Sequence, residues 1–514
     1  MRYYGFYGGY HDSGVAILDE SGNLEFYAHA ERYGKRVKTE NSLAEILDFI
    51  PPPSKEDIVC VPPMGLNYET IEGQHPVVAM KSTFSEWMKK NIRYEPNYCI
   101  SHHLCHILSS WFFRKNDETR FALAFDGAGP NADGMVLGSC FCGMINEDGF
   151  SLKVCDPPIP SSCSLGSMLG FNSAGKAMGL SGFLEDTKEK ISEDDIVRLV
   201  ESFTKPYMPP PAWLWTPGQQ EYIPSFPWFP NPSEEDLKFI AKFYKFWINR
   251  TWDSIKKNLE NFIPNKELGI VVGGGTCLAL ELNTNIASYV KDFVFGPAIN
   301  DSGLVLGAAS YGYFLDKGKW PKALKTPSIM YLQEPLSKIG PQEPKEIAKL
   351  IAQDKVVGLL RGKAECGPRA LGFRSILANA SKYENLKRVS QELKGREYYR
   401  PLAPMVTAES FDRYFTGPKG EYMQYRCECN LAAKMECPAI VHKDNSSRPQ
   451  VVHKEKDPWL HELLVEYGRI TGSECIINTS LNGPGKPICN TYSDALYDFK
   501  EKDDIELISI PQEN

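Results

Sequence analysis

The chain reads as a mixed α/β protein, and three observations predict this. Short apolar strands split by glycine turns open it: Tyr4–Tyr7, Val15–Leu18 and Leu24–His29 form a β-meander. From about Glu267 strands alternate with helices, as Gly269–Val272 runs into Gly273-Gly-Gly-Thr276 and a helix through Asn285. The same alternation restarts near Pro341, where a helix Pro344–Ala352 leads to a strand Val356–Leu360. The stretch Asp316–Pro341, rich in Lys, Pro and Gly, predicts a linker between two units, 1–330 and 341–514.

The remaining elements fit that plan. A strand Phe121–Phe125 ends in Asp126-Gly-Ala-Gly129, and a second meander covers roughly Met135–Val154. Strands tipped by glycine and followed by helices suit an actin/hexokinase-like duplicated architecture, although no repeat of 20–50 residues is visible in the sequence. Residues 205–233 break the pattern by combining many prolines with Trp213, Trp215 and Trp228. Prolines deny that stretch a helix or a central strand. It reads as an Ω-like loop packed by its own side chains, or as an aromatic wall over a substrate.

Composition excludes several classes. At 514 residues and 42% hydrophobic, the chain can bury substantial cores in two or three domains. It has no run of eighteen apolar residues, so no membrane span is expected. The start, MRYYGFYGGYHDSG, lacks the apolar core of a signal peptide, which points to the cytoplasm. Fourteen cysteines are scattered with no paired CxxC, so reduced thiols and no structural zinc are expected. A net charge of −8 disfavours a general nucleic-acid binder.

Against that charge, the stretch from Arg361 to Pro401 stands out. It sets Arg369, Arg374, Lys394, Arg396 and Arg400 among glycines, prolines and aromatics. Guanidinium forks suit bidentate grip on phosphate or carboxylate oxygens, and so dense a set of cations calls for an anion. A second constellation lies upstream. His102 and His106 are four apart on a predicted helix of about 102 to 113 and share a face, the spacing of a two-point metal clamp. Asp126 and Asp301 both sit at Gly-flanked turns, and two imidazoles with two carboxylates suit Fe²⁺, Mn²⁺ or Zn²⁺.

These segments resemble the NodU/TobZ-type O-carbamoyltransferases, which join a TsaD-like, actin/hexokinase-like (ASKHA) domain to a YrdC-like domain. The resemblance is carried by Glu365-Cys-Gly-Pro-Arg-Ala-Leu-Gly-Phe-Arg-Ser-Ile-Leu377, Lys394-Gly-Arg-Glu-Tyr-Tyr-Arg-Pro-Leu-Ala-Pro404, Arg448-Pro-Gln-Val-Val452 and Ile477-Asn-Thr-Ser-Leu-Asn482. Upstream it is carried by His11-Asp-Ser-Gly14, Glu31-Arg-Tyr-Gly-Lys-Arg-Val-Lys38 and Ser173-Ala-Gly-Lys-Ala-Met-Gly-Leu180. The chain departs from the family pattern by one extra residue in the second of these and by Ser181 after the third.

The resemblance implies an ATP-dependent carbamoyltransferase with two sites. Arg369, Arg374, Lys394, Arg400, Arg448, Asn478 and Ser480 would hold carbamoyl phosphate and ATP with its Mg²⁺. His102, His106, Asp126 and Asp301 would hold a divalent metal, iron first. Lys176, Gly179, Gly273, Gly274, Gly275 and Asn285 would border the nucleotide in the first domain. His11 and Lys38 would act on the transferred group. The expected partner is a small-molecule hydroxyl acceptor, with the protein a monomer or homodimer. A hydroxymethylated nucleobase such as 5-hydroxymethylcytosine, or a tRNA modification of the threonylcarbamoyl-adenosine type, are the alternatives. The insert 205–233 has Lys205 as its one cation, too few for a nucleic-acid backbone.

Overall fold

The computed structural model describes residues 1–8, 12–34, 36, 43–62, 92–126, 128–131, 134–137, 140–154, 178, 182, 233–262 and 267–512. His11, Lys38, Lys176, Gly179 and residues 205–232 lie outside them. Mixed α/β sheets dominate, as the sequence predicts.

Two five-stranded sheets share one topology. In the first, Leu24–His29, Gly14–Leu18 and Tyr3–Tyr7 are antiparallel neighbours, and Ile58–Val61 then Tyr98–Cys99 add in parallel. The second repeats this order with Gly149–Val154, Cys140–Asn146 and Arg120–Phe125, followed by parallel Gly269–Gly273 and Phe293–Val294. The duplication expected from the alternation of elements is therefore present in the strand order.

Two helices join the sheets. His102–Trp111 follows the last strand of the first sheet and packs on the second; Leu304–Lys317 follows the last strand of the second and packs on the first. They also pack on each other. Their apolar faces, including Leu104, Leu108, Leu304 and Ala308, are buried in one core with Tyr3, Phe6 and Val15. Apolar burial of this kind contributes about 25 cal/mol per Å². Small residues permit the close fit, since a Cβ on Gly307 would stand 2.1 Å from the Cys105 carbonyl oxygen.

The second unit is a six-stranded sheet ordered Gln450–Val452, Ala403–Thr407, Cys475–Ser480, Arg374–Asn379, Val357–Arg361 and Glu506–Ile510. Helices Pro344–Ala352 and Pro458–Thr471 cover one face. Its strand pairing mixes parallel edges with an antiparallel centre. The expected linker is not a free tether. Ser328–Met330 pairs with Ala364–Glu365, the Tyr331 N–H donates to the Tyr27 carbonyl at 2.8 Å, and Met330 is fully buried. Among the described residues ten cysteines are buried free thiols, but Cys142 is disulfide-bonded, which corrects the expectation that all would be reduced.

Candidate functional site

The helix His102–Trp111 begins at Ser101, whose hydroxyl accepts the Leu104 N–H as an N-cap. One turn in, its two clamp histidines face each other, with Nε2 atoms 3.1 Å apart. Asp126 stands just beyond the strand Arg120–Phe125 and puts Oδ2 3.1 Å from His102 Nε2 and 3.4 Å from His106 Nε2. Asp301 opens the turn before the second joining helix, and its Oδ1 lies 3.4 Å from His106 Nε2. All four residues are buried, and their four ligand atoms lie within 4.8 Å of one another.

The outer carboxylate oxygens are also held. Asp126 Oδ1 accepts the Gly275 N–H at 3.0 Å, and Asp301 Oδ2 accepts the Tyr7 hydroxyl at 3.1 Å. Each acid thereby turns one oxygen inward. The Nδ1 atoms of both histidines have no hydrogen-bond partner among the described residues, so the carboxylates carry the orienting contacts. Burial opposes a charge on His106, yet Asp126 and Asp301 outweigh it and raise its pKa to about 9. Burial likewise opposes charge on Asp126, but both histidines hold it well below the usual carboxylate range. Two imidazoles and two carboxylates this close, and buried, fit a divalent cation in donor number, type and charge.

The glycine turn has a packing role here. Gly274 has φ +103, and a Cβ on it would stand 2.2 Å from the Phe125 carbonyl oxygen. A Cβ on Gly273 would come within 2.5 Å of the His106 backbone. The turn therefore presses the metal helix against the strand that leads to Asp126. Asn285 sits partly exposed on Leu280–Tyr289; buried Asn283 instead ties that helix to the Cys277 and Gln424 carbonyls.

In the second unit four guanidinium groups converge. Burial and then Arg400 push Arg369 down to about 10; burial, Arg400 and Arg369 push Arg396 down to about 9. Arg448 falls well below its ordinary value through burial and through Arg369, Arg396 and Arg400. Each remains partly open to solvent. Arg400 lies 3.5 Å from Glu397, but Arg369, Arg396 and Arg448 have no hydrogen-bonded or ion-paired side-chain partner among the described residues. Four mutually repelling cations against one nearby carboxylate favour the binding of an anion. Arg369 also lines a crevice with Cys277, Leu278 and Pro297 of the first unit and Tyr422 and Gln424 of the second.

Two expected phosphate ligands have other work. The Arg374 guanidinium donates to the carbonyls of Asn490, Arg361, Phe373 and Gly362, so it is a fully committed structural clamp. Asn478 donates to the Ala370 carbonyl and to Gln450, holding the loop after Arg369. Lys394 follows a π-helical segment, Lys387–Leu393, and is bound by Ser480 and Asn482 through two carbonyls, a hydroxyl and an amide oxygen. Arg396 was visible in the basic stretch but not singled out as a ligand, because neighbouring arginines cannot be ranked by spacing alone. Tyr7 gave no sequence signal, being an aromatic in a buried strand; Gln450 lies within the quoted piece Arg448–Val452 but was not singled out there.

Residues 348–512 match the family model described as the Carbamoyltransferase C-terminus. Nodulation protein U of Azorhizobium caulinodans is 31% identical over 260 residues, 49% of this chain and 46% of that protein. Over residues 348–512 the chain carries a carbamoyltransferase C-terminal region, and over about half of its length it is similar to NodU proteins. Among other relatives, an uncharacterized protein of Methanocaldococcus jannaschii is 26% identical over 96% of both chains, whereas the NodU alignments span less than half of each nodulation protein. Among solved structures, the activator of 2-hydroxyisocaproyl-CoA dehydratase from Clostridium difficile covers 62% of this chain and 96% of its own, with TM-score 0.33 and 13% identity. P. abyssi Sua5 covers 33% and 46%, with TM-score 0.24 and 17% identity. No helix among the described residues is long and apolar enough to cross a membrane.

Replacing Tyr7 by Phe removes one hydroxyl from the histidine–aspartate cluster and leaves Asp301 free to rotate. Metal affinity is expected to fall by about ten- to a hundredfold, since partners that orient a ligand commonly matter by that much. Competition with a chelator measures this, and unchanged affinity would show that Asp301 is held by packing alone.

Proposed function

We propose that this protein is an ATP-dependent O-carbamoyltransferase working through two sites. In the second unit, carbamoyl phosphate, ATP and a water give carbamoyl-adenylate, pyrophosphate and orthophosphate. The observation that carries this reading is the set of four guanidinium groups, Arg369, Arg396, Arg400 and Arg448, matched by a single nearby carboxylate. Two polyanionic substrates repel each other, and preorganised cations offset that repulsion and stabilise the charge that shifts to pyrophosphate. Lys394, held by Ser480 and Asn482, would supply a further positive charge to the site in this reading.

In the first unit the acceptor oxygen bonds to the carbamoyl carbon while the C–O bond to AMP breaks. His102, His106, Asp126 and Asp301 would hold a divalent cation, with Fe²⁺ preferred over Mn²⁺ or Zn²⁺, and Mg²⁺ accompanies ATP. Such a cation supplies Lewis-acid stabilisation of developing negative charge. Asp126 and Asp301 also neutralise it and fix its place through their anchors on Gly275 and Tyr7. His11, which precedes Asp12 in the sequence, would take the hydroxyl proton in this reading, with Lys38 as the second residue acting on the transferred group. A reactive adenylate calls for an enclosed route between the units, and Arg369 stands at a small crevice where they meet.

The proposed acceptor is the hydroxyl of a small metabolite, because the net charge of −8 offers no general track for a nucleic-acid backbone. The decisive test is release of pyrophosphate from ATP. Dependence on carbamoyl phosphate, followed by AMP release only with an alcohol acceptor, is the expected result. Pyrophosphate release indifferent to carbamoyl phosphate would sink the assignment.

A further inference from the structure

Arg32 belongs to the first sheet yet spends its hydrogen bonds on the second unit. It ends the 3₁₀ turn Ala30–Arg32, just after the strand Leu24–His29, and is among the largest fully buried side chains. One terminal nitrogen, Nη1, donates to the Glu365 carbonyl at 2.8 Å, and Nη2 donates to the Gly367 carbonyl at 2.6 Å. These carbonyls flank Cys366 at the root of the loop that carries Arg369.

That loop is gripped from every side. Gly367 has φ +82, and a Cβ there would stand 2.0 Å from the Pro297 carbonyl oxygen. The Cys366 N–H donates to the Pro327 carbonyl at 2.8 Å. Beyond Arg369, Asn478 holds the Ala370 carbonyl, and Gln450 holds that of Leu371. Glu365 closes the loop on itself, since Oε1 accepts the Leu371 N–H at 2.8 Å and the Arg374 N–H at 3.3 Å. The downstream clamps come from the second unit itself. On the upstream side, Arg32 supplies the side-chain clamp, and it comes from the other unit.

We propose that Arg32 is a positioning residue for the anion site, through which the first unit sets where the Arg369 guanidinium stands. The inference rests on reading the arginine cluster as the carbamoyl phosphate and ATP site. A planar fork reaches two carbonyls two residues apart, whereas an ammonium can serve them only from one point. Losing the fork leaves the root of the loop held by packing, the Cys366 contact and the pairing of Ala364–Glu365 with Ser328–Met330, none of which grips the Gly367 carbonyl, and Arg369 shifts relative to Arg396, Arg400 and Arg448. A misplacement of about 1 Å at a binding group costs on the order of a hundredfold in rate in severe cases. The coupling also has a direction that can be read: a residue of the carbamoyl-transfer unit governs the adenylate-forming reaction.

The test is carbamoyl phosphate-dependent exchange of labelled pyrophosphate into ATP by the full-length protein. Arg32→Met is expected to raise the KM for carbamoyl phosphate about tenfold or more, with metal content as in the wild type. Arg32→Lys is expected to recover part of that loss. A purely structural defect lowers kcat through the folded fraction and leaves KM alone, so a kcat loss at constant KM counts against the proposal, as does unchanged exchange. Should Arg32→Met fail to fold, Arg32→Lys decides: a raised KM supports the positioning role and an unchanged KM overturns it. Wild-type protein that shows no exchange overturns the carbamoyl-adenylate reading, and this inference with it. Wild-type exchange alongside an unaffected variant overturns the inference alone.

Discussion

Arg369→Ala is expected to abolish formation of carbamoyl-adenylate while leaving the bound metal unchanged. Arg369 meets Arg400 and Arg448 in the cluster and faces the crevice toward the first unit. In the proposed reading, removing it deletes a charge-assisted contact to a phosphate at the point where the two units meet. The rate of pyrophosphate release is expected to fall by on the order of a hundredfold or more. Arg374→Ala would not discriminate, because that guanidinium binds four backbone carbonyls and its loss unsettles the fold. Pyrophosphate release by Arg369→Ala at the wild-type rate would move the anion site elsewhere.

The second large effect concerns the other unit. His106→Ala is expected to lose the metal and carbamoyl transfer but to keep adenylate formation, since the arginine cluster shares no side chain with the histidine helix. Affinity is expected to fall by more than about a hundredfold, beyond what loss of an orienting partner costs. The wild-type site adds a pH signature. The His106 pKa is raised to about 9 in the metal-free protein, so a cation must displace that proton at neutral pH. Apparent metal affinity therefore rises with pH, about tenfold per unit up to about pH 9, and levels off above it. Metal titrations between pH 6 and 10 check this. A flat profile, or full transfer by metal-free His106→Ala, would return both histidines to a structural role.

The sites were legible in the sequence to different depths. The histidine pair was readable because a helix places residues four apart on one face, and His102 and His106 do face each other. Asp126 and Asp301 were readable only as acids at Gly-flanked turns. Their convergence depends on strands and helices from both sheets packing together. The arginines were readable as a crowd, not as individuals. Position along the chain could not separate Arg374, turned inward to carbonyls, from Arg396, turned toward its fellow arginines.

By itself the sequence determined what short-range physics governs. It set the helix Pro344–Ala352 through its apolar spacing and N-terminal proline, the strands of the opening meander, and the residue motifs of the carbamoyltransferase family. Periodicity and turn chemistry act over a few residues, so they survive without knowledge of the partner element. Only the tertiary structure decided that the two five-stranded sheets repeat one topology with no visible repeat in sequence. It also decided that the segment expected as a linker packs against the first sheet, and that Tyr7, Gly275 and Arg32 hold the sites in place. Those outcomes depend on which distant faces bury each other, and burial is a property of the whole packed chain.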